Sequence, residues 1–208
     1  AGENSSQTLQ NVDSKNPLKK NTSGGIHPTQ FLEDVFFSMS IISTEYQSFQ
    51  GDQVDMVMRS VLSCVGNVFK ESILENFDYL SKVFKISSPQ KIVSDLILIA
   101  RRRGGKTTTV CALIACIMAS LVDQRILFFS TGERISKMGR DKIIEFLQVI
   151  QNSKQTTRFS KIRWSTSEET LVVTNIYGTD NIAKFYPSNV KVKKNVTKKN
   201  TTLFFLRG

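Results

Sequence analysis

Apolar residues along the chain follow one periodicity before about residue 86 and alternate between two after it. In "PTQFLEDVFFSMSIIS", Phe31, Val35 and Met39 recur at helical spacing with Leu32, Phe36 and Ile42 beside them. In "DQVDMVMRSVLSCVGNVFK" the stripe is Val54, Val57, Met58, Val61, Leu62, Val65 and Val68, and in "ESILENFDYLSKVFK" it is Ile73, Phe77, Leu80 and Phe84. Recurrence at three and four predicts amphipathic helices whose stripes pack into a core. Residues 1–27 show no such period and are rich in Ser, Asn, Thr, Lys and Gly, which predicts a flexible polar N-terminus.

After "ISSPQK" the pattern shortens. Residues 92–100 form a brief β-branched apolar run, the pattern of a strand buried on both faces. "KTTTVCALIACIMASLV" reads as a hydrophobic helix, "QRILFFST" as a second buried strand, and "ERISKMGRDKIIEFLQVIQ" as an amphipathic helix. Strand, turn, helix, strand and helix in that order predict an α/β fold with a parallel sheet flanked by helices, behind a helical lead-in over 28–86. "RFSKIRWSTSEETLVVTNIYG" reads as a hairpin joined near Ser165 to Glu168, and "LFFL" as a last apolar run.

Charge adds a partner class. Lys and Arg outnumber Asp and Glu by 28 to 18, a net +10, which favours a polyanion such as nucleic acid. Lys191, Lys193, Lys194, Lys198 and Lys199 form a candidate phosphate-contacting strip for duplex DNA, with a solvated loop as the alternative. No base-reading element accompanies it. Cys64, Cys111 and Cys116 lie in apolar stretches and His27 is the lone histidine, so no zinc site is expected and a reducing, intracellular setting is. The longest apolar run is too short to span a membrane, so no membrane partner is expected.

The chemistry concentrates in "LILIARRRGGKTTTVCALIA". A phosphate loop needs inward backbone N–H groups, a helix N-terminus behind them, a lysine for the outer phosphates and a hydroxyl for Mg²⁺. Gly105, Lys106 and Thr107 supply the end of that loop in order, at a strand-to-helix junction. The triplet alone arises by chance in about one chain in ten of this size, so its setting carries the reading. Ala100 stands where such loops usually begin with Gly. Three adjacent guanidiniums, Arg101 to Arg103, repel one another unless an anion compensates them.

That arginine-rich loop resembles the one in the large terminase subunit, the ATPase that drives viral DNA into preformed capsids. The match runs over Arg102, Arg103, Gly104, Gly105, Lys106 and Thr107. "PQKIVSDLILIARRRGGKT" is similar to the herpesvirus form, and the likeness extends through "RILFFSTGERISKMGRDKIIEFL" and "IRWSTSEETLVVTNIYG", over roughly residues 70–190. The resemblance implies a P-loop NTPase-type fold, ATP and Mg²⁺ as ligands, and duplex DNA, a viral portal and other terminase subunits as partners. It further implies a homo-oligomeric ring in the complete protein and, for a herpesvirus-like member, the host nucleus. By the same resemblance Lys106 contacts the β and γ phosphates, Thr107 serves Mg²⁺, Gln90 lies near adenine, and Arg103, Gly104, Gly105 and Thr108 line the nucleotide. Arg102 or Arg103 then acts on the γ phosphate, a solvated or DNA-facing role being the alternative for each.

Phosphoryl transfer to water also needs an acidic pair after an apolar strand, and no apolar run here is followed by Asp-Glu. Glu168 and Glu169 sit at a hairpin tip ahead of a strand, which reads as the wrong end for that task. Residues 87–208 are therefore expected to be a partial P-loop ATPase domain that holds nucleotide weakly and hydrolyses it poorly. A different P-loop helicase or translocase, or a non-catalytic basic DNA-binding module with an accidental Gly-Lys-Thr, are the competing readings.

Overall fold

The computed structural model describes residues 28–46, 53, 57, 60–62, 73–89, 105–187 and the backbone of 201–206. The expected strand at 92–100 and the lysine strip at 191–199 lie outside the described residues. Helix α1 spans Pro28–Tyr46, α2 Phe77–Phe84, α3 Lys106–Ser120 and α4 Glu133–Gln151. The strands are β1 Arg125–Ser130, β2 Arg163–Thr166, β3 Thr170–Thr174, β4 Asp180–Pro187 and β5 Thr201–Leu206, and a 3₁₀ turn covers Arg158–Lys161. Gln53, Val57 and residues 60–62 are helical, as the second stripe predicts.

α3 is the hub. Its sequence is apolar all round, and every residue from Thr109 to Ser120 is buried, the expected fate of a helix without a polar face. α1 and α4 pack against it from one side of the sheet. Gly139 makes the approach of α4 possible, because a Cβ there would stand 2.6 Å from Cζ of Phe128 on β1. Residues of alternate parity, Ile126 and Phe128 on β1, Ala183 and Phe185 on β4, and Leu171 and Val173 on β3, turn their side chains into the same core.

The sheet is five-stranded in the order β2-β3-β4-β1-β5 and is mixed, which corrects the expectation of a parallel sheet. β4 and β5 run parallel to β1 on its two sides, whereas β2, β3 and β4 form an antiparallel meander. The cause is the link between β3 and β4. It is a tight turn closed by Asn175 N–H donating to Thr179 O at 2.9 Å, with Gly178 at φ 79°. So short a connection allows only an antiparallel return, since a parallel one requires a crossover of a dozen or more residues.

That turn also terminates α3. The helix's last carbonyls would be orphaned in the core, yet Asn181 Nδ2 donates to Met118 O at 2.9 Å and Leu121 O at 2.7 Å. Asn181 Oδ1 accepts from Gln124 N–H at 2.7 Å, Asn175 Nδ2 donates to Leu121 O, and Ile176 N–H donates to Ala119 O at 3.2 Å. Both asparagines are buried, so their side chains do for the helix end what water does at a surface.

α1 is part of this core. Phe31, Leu32, Val35, Ile41 and Ile42 are buried in it, and Phe31 meets Tyr177 edge-on at 5.6 Å. Its buried carboxylate, Asp34, accepts hydrogen bonds from the Tyr177 hydroxyl, from Arg158 NH2 at 2.8 Å and from Gln30 Nε2 at 3.4 Å. Burial raises the Asp34 carboxyl above its ordinary range, against the lowering effect of Tyr177, Arg158 and Gln30.

Two expectations follow from these polar anchors. Asn181→Ala takes the side-chain partner from the buried Met118 carbonyl and the Gln124 N–H, while Leu121 O keeps Asn175, and thermal unfolding should show a loss of about 2 kcal/mol. For Asp34 the folded pKa lies above the unfolded one, so stability tied to its neutral form is complete below the ordinary value of 3.8 and is lost as pH rises through the folded value. Asp34→Asn does not titrate, so denaturant titrations should show the variant gaining on the wild type as pH rises from about that value. A wild type that gains on the variant as pH rises contradicts this assignment.

Candidate phosphate-binding site

The start of α3 lies at the carboxyl edge of the parallel strands. Its far end meets the beginning of β1 through the Asn181 and Gln124 bonds, so the helix runs antiparallel to the strand. Near its start, Cys111 Sγ lies 3.5 Å from Gly139 O on α4, beside Phe128 late in β1. Crevices outside the carboxyl ends of strands are where open α/β sheets bind ligands.

Gly105 is the residue that caps this helix start, in the left-handed region at φ 71°. An L side chain is strained there, and Gly105 offers no side-chain oxygen to the amides that follow. The helix's first internal bond is Thr109 N–H to Gly105 O at 2.9 Å, reinforced by Thr109 Oγ1 donating to the same carbonyl at 3.0 Å. The amides of Lys106, Thr107 and Thr108 precede that bond, at the positive end of the helix dipole. This donor set suits an anion: backbone N–H groups, a lysine and hydroxyls, with no acidic residue in the first turn.

Of the residues singled out from sequence, Gly105, Lys106, Thr107 and Thr108 come together here in consecutive positions. Thr107 is exposed, while Lys106 and Thr108 are half-buried. Gln90, Arg102, Arg103 and Gly104 lie outside the described residues, as do Lys191, Lys193, Lys194, Lys198 and Lys199.

Sequence reasoning missed Gln53. Its side-chain amide packs on Gly105 so closely that a Cβ on the glycine would fall 2.0 Å from Nε2. A residue of the helical lead-in thus borders the loop end, and no pattern of apolar spacing could have revealed it. Thr109 was also passed over; its hydroxyl is turned into the helix rather than toward the loop.

The hairpin tip requires a correction. β3 runs antiparallel to β4, so its beginning lies beside the end of β4, with Phe185 N–H donating to Glu169 O at 2.8 Å. Arg140, in the first half of α4, fastens the tip by donating to Ser167 O at 2.8 Å and Glu168 O at 2.7 Å. Glu168 and Glu169 therefore stand at the carboxyl edge of the parallel strands, the same edge as the start of α3. Glu133 in the first turn of α4 shares that edge.

Other chemistry is quiet. Burial pushes the Cys111 and Cys116 thiols up to about 12, which keeps them protonated and inert, in keeping with their reading as small hydrophobes. Among the described residues no group of three or more His, Cys, Asp and Glu converges as a metal cluster. Mg²⁺ at a phosphate loop does not call for one, since it takes a hydroxyl, phosphate oxygens and water. No described helix is long and apolar enough to cross a membrane.

Compared with family models, curated proteins and solved structures, the chain gives no match.

Gly105→Ala tests the local geometry. The new methyl meets both the left-handed backbone and the Gln53 amide, and thermal unfolding should show a loss of about 1–3 kcal/mol. Adding Gln53→Ala should recover the steric part and leave the backbone part. Full recovery, or no loss at all, contradicts the geometry.

Proposed function

We propose that this chain is the ATP-binding part of a viral DNA-packaging motor of the large terminase type, built on a P-loop NTPase-type fold. The observation that carries the reading is the Gly105-Lys106-Thr107 triplet at the glycine-capped N-terminus of a buried helix, at the carboxyl edge of the parallel strands. The arginine-rich run that leads into it supports this class over other P-loop translocases.

In this reading the amides of Gly105 to Thr108 cradle the β phosphate and the Lys106 ammonium reaches the β and γ phosphates. The Thr107 hydroxyl and the phosphates would hold Mg²⁺, whose charge offsets that of the triphosphate. Gln90 lies by the adenine, and Arg102 or Arg103 stabilises charge developing on the γ phosphoryl group. Duplex DNA, a portal and further copies of the subunit are the partners through which hydrolysis becomes translocation.

Lys106→Ala removes a charge-assisted contact of about 1.5–3 kcal/mol. Mg·ATP affinity, measured with a fluorescent ATP analogue displaced by unlabelled ATP, should fall about 10- to 100-fold. Nucleotide binding that survives the substitution unchanged sinks the reading and favours an accidental triplet.

A further inference from the structure

The segment from the end of α4 through the first residue of β2 holds Lys154, Arg158, Lys161 and Arg163, with no Asp or Glu between Glu145 and Glu168. All four are exposed. Arg158 and Lys161 are one 3₁₀ turn apart, about 6 Å along its axis, and so share a face. Gln151 Nε2 donates to Ile162 O at 2.7 Å, which ties the end of α4 to the start of β2 and keeps Lys154 beside the turn.

The two arginines are held in place by the protein. Arg163 NH1 donates to Ser160 O and Ile162 O, both at 2.7 Å, and its other N–H groups have no partner among the described residues. Arg158 NH2 is spent on Asp34 and the Tyr177 hydroxyl, while NH1 and Nε have no partner among the described residues. Asp34 is itself buried, so it fixes the guanidinium without presenting a carboxylate to solvent. Among the described residues Lys154 and Lys161 have no hydrogen-bonded or ionic partner. In the sheet register the acid closest to Arg163 is Asp180, one strand beyond Thr174, and it accepts from the Thr174 hydroxyl at 2.7 Å.

We infer that this turn is a docking surface for the sugar-phosphate backbone of duplex DNA, separate from the phosphate loop and from the lysine strip at 191–199. Two immobilised guanidiniums with spare donors lower the ordering cost of gripping phosphates, and two unpaired ammoniums add counterion release. The chemistry around them narrows the occupant. The turn's own aromatic, Phe159, is buried, and the exposed ring beside it, Phe37 of α1, is stacked on it at 6.1 Å, so the described turn offers one ring edge rather than a row of faces for successive single-stranded bases. Exposed Thr157 and Ser160 stand where a membrane-binding surface would place large apolar side chains. No helix projects from the turn to read base edges, which suits a grip indifferent to sequence. The inference stands on these residues alone and does not require the nucleotide reading.

The test is fluorescence anisotropy of a short labelled duplex titrated with the full chain between about 50 and 200 mM salt. The double substitution Lys154→Ala, Lys161→Ala should reduce the slope of log K against log salt by about 2, since each phosphate contact contributes about 0.9. Lys154→Glu with Lys161→Glu should weaken binding at least about tenfold at the lower salt. Both lysines are exposed and unpaired, so thermal unfolding should be unaffected. Replacing Lys191, Lys193, Lys194, Lys198 and Lys199 with Ala should leave the contribution of the turn intact. Lys106→Ala should leave duplex affinity unchanged, which separates this surface from the phosphate loop. The inference is overturned by a slope that does not respond to the lysine pair, by the absence of duplex binding, or by tighter binding to single-stranded DNA or anionic vesicles than to duplex.

Discussion

The structure depends on how a fully buried helix has its two ends satisfied. α3 has no polar face, so it can exist only where neighbours cover it on all sides, and its terminal backbone groups cannot rely on water. At its far end the solution is internal: Asn175 and Asn181 reach in from the β3–β4 turn and the start of β4 and take the last carbonyls. At its near end the residue that caps it is a glycine with nothing to donate or accept from a side chain. The asymmetry makes one end a closed structural joint, whereas the other begins at a glycine that makes no side-chain cap.

The mixed sheet follows from the same joint. For Asn181 to reach the end of α3, β4 must begin at that end of the molecule and run beside β1, and the short turn from β3 then forces the antiparallel meander. The meander carries the hairpin tip to the opposite edge, where Arg140 fastens it near the start of α4. α1 is drawn in by apolar burial and fixed by Asp34, whose partners Arg158 and Tyr177 belong to the α/β part. Positive charge is thus distributed over both ends of the structure: Lys106 at the carboxyl edge, and the 3₁₀ turn beside the far end of α4.

Much of the local structure was legible in the sequence because apolar period is a local property. The stripe of α4 and the run of β1 emerge with their limits nearly intact, and the Gly-Lys-Thr triplet lies at the helix start that its chemistry requires. β4 was not legible. Asp180, Asn181, Lys184 and Pro187 interrupt its apolar pattern, and the residue that looks least like a strand, Asn181, is there to cap another element. The orientation of β2 and β3 against the parallel strands was equally hidden, as register is set by a turn rather than by composition. Gln53 beside Gly105 illustrates the same limit: a contact between residues far apart in the chain leaves no local trace.

The central proposal is that the start of α3 holds the phosphates of a nucleotide. Amide hydrogen exchange of the wild-type chain with and without Mg·ATP addresses it most directly, because the amides in question report individually. Added nucleotide should slow exchange at Lys106, Thr107 and Thr108 while leaving the β2–β3 turn at its nucleotide-free rate. Unchanged exchange at those amides, or protection confined to another part of the chain, contradicts the claim.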